Sequence, residues 1–330
     1  MTRRLLTGWA VVLLGTVACS SSEQSSGNAP LSVDTAAADA DVAGSAAGAP
    51  AVSADGELFA AGDRSAHPSA GCTTGNASPA VGEQTLTSGG AAGTYLITVP
   101  HDYDPTSPYS LAFVFHGANN TEITCRGGGN CPGVSMALEG NSIVIYPKSF
   151  GDDWTGDTRE QNVTYFDDLL SFVKQNYCVD ERRVYLVGTS SGAHFSNILA
   201  CRRGDELLAI APAAGERLEK TGCKGRVAAL VMHGVDDSHV PFSVGEEARD
   251  YYASADGCST DTVPALADMH AEVRAARDAG MGIFRCVDYQ GCDDDLPVRW
   301  CEHSEGGYDG TTHGFPVEGG PTAWDFVSPL

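Results

Sequence analysis

The chain has 330 residues, of which 43 are Asp or Glu and 20 are Lys or Arg, giving a formal net charge of -23 at neutral pH. That balance argues against nucleic acid and anionic membrane surfaces as partners, since both repel it. The length suits one large domain or two small ones.

Residues 1–18 read as a targeting segment rather than structure. Arg3 and Arg4 form a basic start and Leu5 to Leu14 an apolar run. Thr16-Val17-Ala18-Cys19 then has the form of a bacterial lipobox, in which Cys19 becomes lipidated and N-terminal; ordinary signal-peptidase cleavage nearby is the alternative. No other stretch is apolar and long enough to span a bilayer. The expected location is extracellular or cell-surface, with any membrane contact made through the lipid. Residues 19–80 are rich in Ser, Ala, Gly and Asp with almost no aromatics, so they bury too little apolar surface to offset their ordering entropy. They read as a flexible linker, pinned near its end by Cys72, ahead of one domain over 81–330.

Within that domain, Thr94 to Val99 reads as a strand ending at Pro100. Leu111 to Phe115 is apolar throughout and runs straight into His116-Gly117, and Ser142 to Tyr146 is a second such strand, closed by Pro147. Phe166, Leu169, Leu170 and Val173 mark the buried face of a helix. Arg183 to Val187 is a further buried strand, and Ala193 to Cys201 a helix stopped by Arg202, Arg203 and Gly204. Leu207 to Ala214 and Val227 to Met232 resume the apolar strand pattern, Glu246 to Ala253 should be helical, 255–300 reads as irregular, and Thr322 to Val327 as a short helix. Continuous apolar strands alternating with helices predict an α/β fold with a mostly parallel central sheet flanked by helices. Ligand sites in such sheets lie at the carboxyl ends of the strands.

Between strand and helix stands Gly188-Thr189-Ser190-Ser191-Gly192, a Gly-x-Ser-x-Gly pentapeptide in the context of a nucleophile elbow. A serine hydroxyl needs a base, and the base needs an orienting acid, in the chain order Ser, Asp or Glu, then His. The acid should follow a late strand, and Asp236 and Asp237 both do. His239, His270, His303 and His313 lie beyond them as possible bases. His239 is too close in sequence to its acid, and His270 sits in a polar helical stretch. The cluster His233, Asp236, Asp237 and His239 fits no metal-ligand spacing. For the oxyanion, the expected donors are the backbone N–H groups of Ser191 and, after His116-Gly117, of Ala118. His116, Trp154 and Trp300, with Tyr289, are candidates to line the substrate site. Setting Cys19 aside, ten cysteines remain of 11, an even number that suits up to five disulfides in an exported chain. No Cys-x-x-Cys pair supports zinc, and the connectivity does not follow from the sequence.

From about Cys72 to the end, the chain resembles the secreted feruloyl esterases and the related polyhydroxybutyrate depolymerase-type esterases. The resemblance rests on Val99-Pro100-His101-Asp102-Tyr103, Phe115-His116-Gly117, Tyr177-Cys178-Val179-Asp180, the elbow, Leu199-Ala200-Cys201, His233-Gly234 with Asp237 and Val240-Pro241, Tyr289-Gln290-Gly291-Cys292, and Trp300-Cys301. It implies an α/β-hydrolase fold, no cofactor, and ester hydrolysis by Ser190, Asp237 and His313. One departure is that Gly306-Gly307 and His313 are separated by Tyr308 to Thr312. The expected substrate is a hydroxycinnamoyl ester of plant cell-wall polysaccharide, attacked by a monomer. A polyester depolymerase or an acetyl xylan esterase is the alternative enzyme, and a non-catalytic binding lipoprotein the alternative of another class.

Overall fold

The computed structural model describes residues 65–74, 79–263, 269–293, 295–305 and 312–330. The leader, Cys19 and the rest of the linker up to residue 64 lie outside the described residues, as do Gly306-Gly307 and residues up to 311. Among the described residues, no helix is long and apolar enough to cross a membrane.

The chain builds one ten-stranded sheet. In chain order its elements are α1 (Gly71–Thr74), β1 (Gly82–Ser88), β2 (Ala91–Thr98), β3 (Tyr109–Phe115), α2 (Glu122–Arg126), α3 (Val134–Leu138), β4 (Ser142–Pro147), α4 (Arg159–Asn176), β5 (Val179–Thr189), α5 (Ser191–Arg203), β6 (Ala209–Ala213), β7 (Ala228–Gly234), α6 (Phe242–Ala255), β8 (Thr262–Val263), α7 (Met269–Asp278), β9 (Phe284–Tyr289), β10 (Val298–His303) and α8 (Gly319–Val327). The spatial order is β1-β2-β4-β3-β5-β6-β7-β10-β9-β8. From β4 to β10 every neighbour is parallel, while β1 and β2 at one edge and β9 and β8 at the other are antiparallel. This is the α/β-hydrolase architecture, extended by the β8–β9 pair.

The core strands lack a polar alternation because both of their faces are covered. On β3, Leu111, Phe113 and Phe115 face a core completed by α4, α5 and α6, while Ala112 and Val114 face one completed by α3 and α8. Ala229 and Val231 of β7 divide from Ala228, Leu230 and Met232 in the same way. Each large apolar side chain so buried contributes roughly 1.5–3 kcal/mol.

Two sequence expectations need correction. The stretch 255–300 is not irregular: it holds β8, α7, β9 and the first half of β10. In β9 the polar Arg285 and Asp288 hide the strand signal, and its place in the sheet comes from pairing with β10, which in turn pairs with the buried β7. Cys286 stands directly opposite Cys301 in that register, and the two form a disulfide. Residues 65–74, inside the stretch read as linker, fold onto the domain. Cys72 bonds Cys178, Ser69 N–H donates to Val179 O at 2.8 Å, and Ser69 Oγ to Tyr177 O at 2.9 Å. A short polar segment is held here by a crosslink and backbone hydrogen bonds rather than by apolar burial. The other disulfides are Cys125–Cys131, Cys201–Cys223 and Cys258–Cys292.

Asp256, at the C-terminal end of α6, is fully buried, and neither carboxyl oxygen has a hydrogen-bond partner among the described residues. Burial, aided by nearby Asp293 and opposed by Arg226, pushes its pKa from the ordinary 3.8 to about 7. Between those two values the folded chain holds a proton that the unfolded chain has released. Its contribution to stability therefore falls as the pH rises through that window and is lost above it. Asp256→Asn removes the titration, so it should raise Tm by about 3 °C or more at pH 8.5 and by little at pH 5. Thermal melts of both proteins at the two pH values check this; an equal shift at both would contradict it.

Candidate active site

β5 ends at Thr189 and α5 begins at Ser191, so Ser190 is the whole turn between them. Its backbone is forced to φ 52° and ψ -119°, a region that non-glycine residues rarely occupy. The flanking glycines are steric necessities. A Cβ on Gly188 would strike Gly192 and, at 2.7 Å, Ser196 Oγ; one on Gly192 would strike the carbonyls of Phe115 and His116. The turn is fixed by Ser190 N–H donating to Ala213 O at 2.9 Å and by Ala193 and His194 N–H groups donating to Ser190 O. The hydroxyl thus stands at the positive end of a 13-residue helix, at the carboxyl edge of the sheet.

His313 comes from the loop before α8 and Asp237 from the loop after β7. His313 Nε2 lies 3.0 Å from Ser190 Oγ, and His313 Nδ1 lies 2.8 Å from Asp237 Oδ2. Asp237 is buried, and its Oδ1 accepts the N–H groups of His239 and Val240, each at 2.9 Å. Burial alone would raise its pKa. The hydrogen bonds of the site, from His233, His313 and Val240, outweigh that and hold it well below the usual carboxylate range. An ionised carboxylate only accepts, so His313 Nδ1 must carry the proton and Nε2 presents its lone pair to the serine. That is the arrangement needed to take a proton from Ser190 as its oxygen attacks. Asp236, the competing aspartate, is exposed, and its N–H donates to Thr312 Oγ1 at 2.8 Å.

The backbone donors named from the sequence fall on either side of the elbow. Ser191 is the first residue of α5, whose N–H has no intrahelical acceptor. Ala118 follows the end of β3, in a loop fixed by Asn119 N–H donating to Asp152 O and Asn120 Nδ2 donating to Ala118 O. Neither N–H is taken by a protein acceptor among the described residues.

Three of the four lining candidates do not line a cleft. His116, Trp154 and Trp300 are 0%, 1% and 2% exposed. Trp154 lies beneath the elbow. Its ring packs on Phe115 and Phe195, its indole N–H donates to His116 O at 2.9 Å, and its backbone N–H donates to Ser191 Oγ at 2.9 Å. His116 accepts a hydrogen bond from Ser149 N–H, and burial pushes its pKa down to about 4. Trp300 packs on Phe242, with Arg249 over its ring, and gives its indole N–H to Glu302. Trp300 is on β10, inside the sheet, whereas His116 follows the end of β3 and Trp154 lies in the loop between β4 and α4, where packing under the elbow rather than a strand position buries them. Tyr289 is half-buried on β9. His303, the rival base, is also buried, with its pKa pushed down to about 4 by burial.

Two histidines named in the sequence take roles at the site that it did not assign them. His233 Nε2 lies 2.9 Å from Val240 O and 3.5 Å from Asp237 Oδ2, so it braces the acid loop. His239 places its exposed ring over His313, with centroids 4.8 Å apart. The His233-to-His239 histidine and aspartate cluster was the available signal, but spacing alone gave no reason to divide it between acid, brace and wall.

No family model matches the chain. In sequence it is 29% identical to feruloyl esterase D of Neurospora crassa over 282 residues, 80% of this chain and 91% of that one. It is 28% identical to a probable feruloyl esterase C of Aspergillus niger over 239 residues, 70% of this chain and 82% of that one. Among solved structures, a ferulic acid esterase from Anaeromyces mucronatus overlaps 53% of this chain and 79% of its own, with a TM-score of 0.41 and 14% identity.

Proposed function

We propose that this carboxylic ester hydrolase of the feruloyl esterase type cleaves hydroxycinnamoyl esters of plant polysaccharide, using Ser190 as nucleophile, His313 as base and Asp237 as orienting acid. The observation that carries the chemistry is the unbroken chain of hydrogen-bond contacts Asp237–His313–Ser190 at 2.8 and 3.0 Å. The substrate class rests on the sequence likeness to feruloyl esterases.

Ser190 Oγ attacks the ester carbonyl as His313 Nε2 takes its proton. The carbonyl oxygen becomes an anion held by the N–H groups of Ser191 and Ala118. His313 then protonates the departing alkoxide, leaving an acyl-enzyme. Water, deprotonated by the same nitrogen, releases the acid. The five disulfides fit an oxidising, extracytoplasmic compartment, in keeping with export by the leader and with a lipid on Cys19.

Asp237→Asn should lower kcat by about 10⁴, because the amide can hold the imidazole in the wrong tautomer. Asp236→Asn, altering an exposed side chain, should lower it by less than about tenfold. Steady-state kinetics on both variants decide between them, and the reverse ranking would refute the assignment.

The substrate reading predicts a higher kcat/KM for methyl ferulate than for hydroxybutyrate oligomers. Parallel assays of the two would overturn it if the polyester were preferred. Labelling of Ser190 by a fluorophosphonate separates any esterase from a binding protein that merely kept the fold.

A further inference from the structure

We propose that Asn130 supplies a side-chain donor to the oxyanion, beside the two backbone N–H groups; this rests on Ser190 being the nucleophile. Gly117 N–H donates to Asn130 Oδ1 at 2.5 Å. That bond fixes which way the amide faces, because an N–H can meet only the oxygen of the amide. The Nδ2 group therefore points away from Gly117 N, and it has no acceptor among the described residues. It is not sealed in the core either: Asn130 is half-buried, and Nδ2 is absent from the buried unpartnered atoms.

The place it reaches is the notch left by the missing side chain of Gly117. A Cβ there would lie 3.1 Å from Asn130 Oδ1, 3.3 Å from Nδ2 and 3.5 Å from Ser190 Cβ. The asparagine amide and the nucleophile's methylene border one small space, adjoining the backbone donor of Ala118. In the proposal, the carbonyl oxygen of an ester held at Ser190 Oγ occupies that space. As its carbon becomes tetrahedral, the oxygen gains a full charge, and Nδ2–H donates to it without transferring a proton. When the intermediate collapses to acyl-enzyme, the charge and the gain are both lost, so the contact favours the transition state over the bound ester.

The chain segment holding Asn130 is built for fixed presentation. Cys125 and Cys131 are fully buried and joined by a disulfide, and Asn130 is the residue before the second of them. Gly127, Gly128 and Gly129 let the chain reverse inside that short ring, with Gly128 at φ 80°. The side chain is tied at its base by the disulfide and at its tip by Gly117, so little rotamer freedom remains to be lost on reaction.

The experiment compares kcat and KM for methyl ferulate in the wild type, Asn130→Ala and Asn130→Asp between pH 5 and 8. The aspartate keeps an acceptor for Gly117 N–H but loses the donor, and it regains one only when protonated. At pH 8 both variants should lose kcat by about 10²–10³-fold with KM changed less than about threefold. Toward pH 5, Asn130→Asp should recover relative to wild type while Asn130→Ala does not. Should the alanine variant fail to fold, as judged by its melt, the aspartate variant alone decides. If Asn130→Asp keeps a third or more of the wild-type kcat at pH 8, the side chain is only an anchor for Gly117 and the proposal fails. It fails equally if the loss appears in KM alone, or if the aspartate variant shows no recovery at low pH. Fluorophosphonate labelling of the wild type keeps the two readings apart. An unlabelled Ser190 removes the nucleophile assignment itself, whereas labelling with active Asn130 variants removes only this donor.

Discussion

Ser190→Ala is expected to lower kcat for ester hydrolysis by on the order of 10⁶, the loss seen when the nucleophile of a serine triad is removed. The size of the effect follows from what remains. Ser191 N–H, Ala118 N–H and the binding surface can still polarise an ester, which leaves a residue of catalysis over water but no covalent route. The fold should survive. Ser190 is held in its unusual φ by its backbone bonds to Ala213, Ala193 and His194 and by the close approach of Gly192 to Phe115, and none of these uses the hydroxyl. Among the described residues Ser190 Oγ hydrogen-bonds to His313, whose Nδ1 contact with Asp237 is independent of it. A melt within a few degrees of the wild type together with loss of fluorophosphonate labelling is the expected pair of results. A folded variant retaining a tenth of the activity would sink the nucleophile assignment.

The elbow was legible in sequence because its constraints are local. An apolar strand, a glycine on each side of the serine and a helix ending in Arg202, Arg203 and Gly204 are written within about twenty consecutive residues, and each has a steric or dipolar reason to be there. The core strands were legible for a related reason. Leu111 to Phe115 and Val227 to Met232 are apolar on both faces, and only a doubly covered parallel sheet asks for that.

The far edge of the sheet was not legible. β9 mixes Arg285 and Asp288 with apolar residues, and its stability comes from pairing with β10 and from the crosslink between Cys286 and Cys301, both non-local. The cysteine count suited five disulfides, but which sulfurs meet is a property of the folded register. The lining candidates failed by the same logic in reverse. Trp154 is close to the nucleophile, as chosen, yet it lies under it, giving its N–H groups to His116 O and Ser191 Oγ. Sequence shows that an aromatic is near a site, not which side of the backbone it takes. Asn130 was invisible because nothing in the run from Cys125 to Cys131 indicates that its tip meets Gly117.

His313→Ala is expected to lose kcat by on the order of 10⁵–10⁶, close to the loss for the nucleophile, because without a base the hydroxyl stays protonated at neutral pH. His303→Ala should retain activity within about tenfold and act chiefly on stability, since it removes a packed core side chain. The two histidines differ in what they touch. His313 bridges Ser190 Oγ and Asp237 Oδ2. His303 sits at the end of β10 with its ring buried, its pKa depressed to about 4 by that burial, and neither ring nitrogen within hydrogen-bonding distance of Ser190 or Asp237. The sequence left both open, because Tyr308 to Thr312 lengthen the approach to His313. The placement of Thr312 supplies the missing reason: it fills the space beside Gly234, where any Cβ would collide with it, and its Oγ1 accepts Asp236 N–H at 2.8 Å. The residue before the base is thereby clamped to the loop that carries the acid, so base and acid stay in register whatever path the preceding residues take. Kinetics on both alanine variants, with melts to separate folding from chemistry, test this. An active His313→Ala beside an inactive but folded His303→Ala would show that the base has been misassigned.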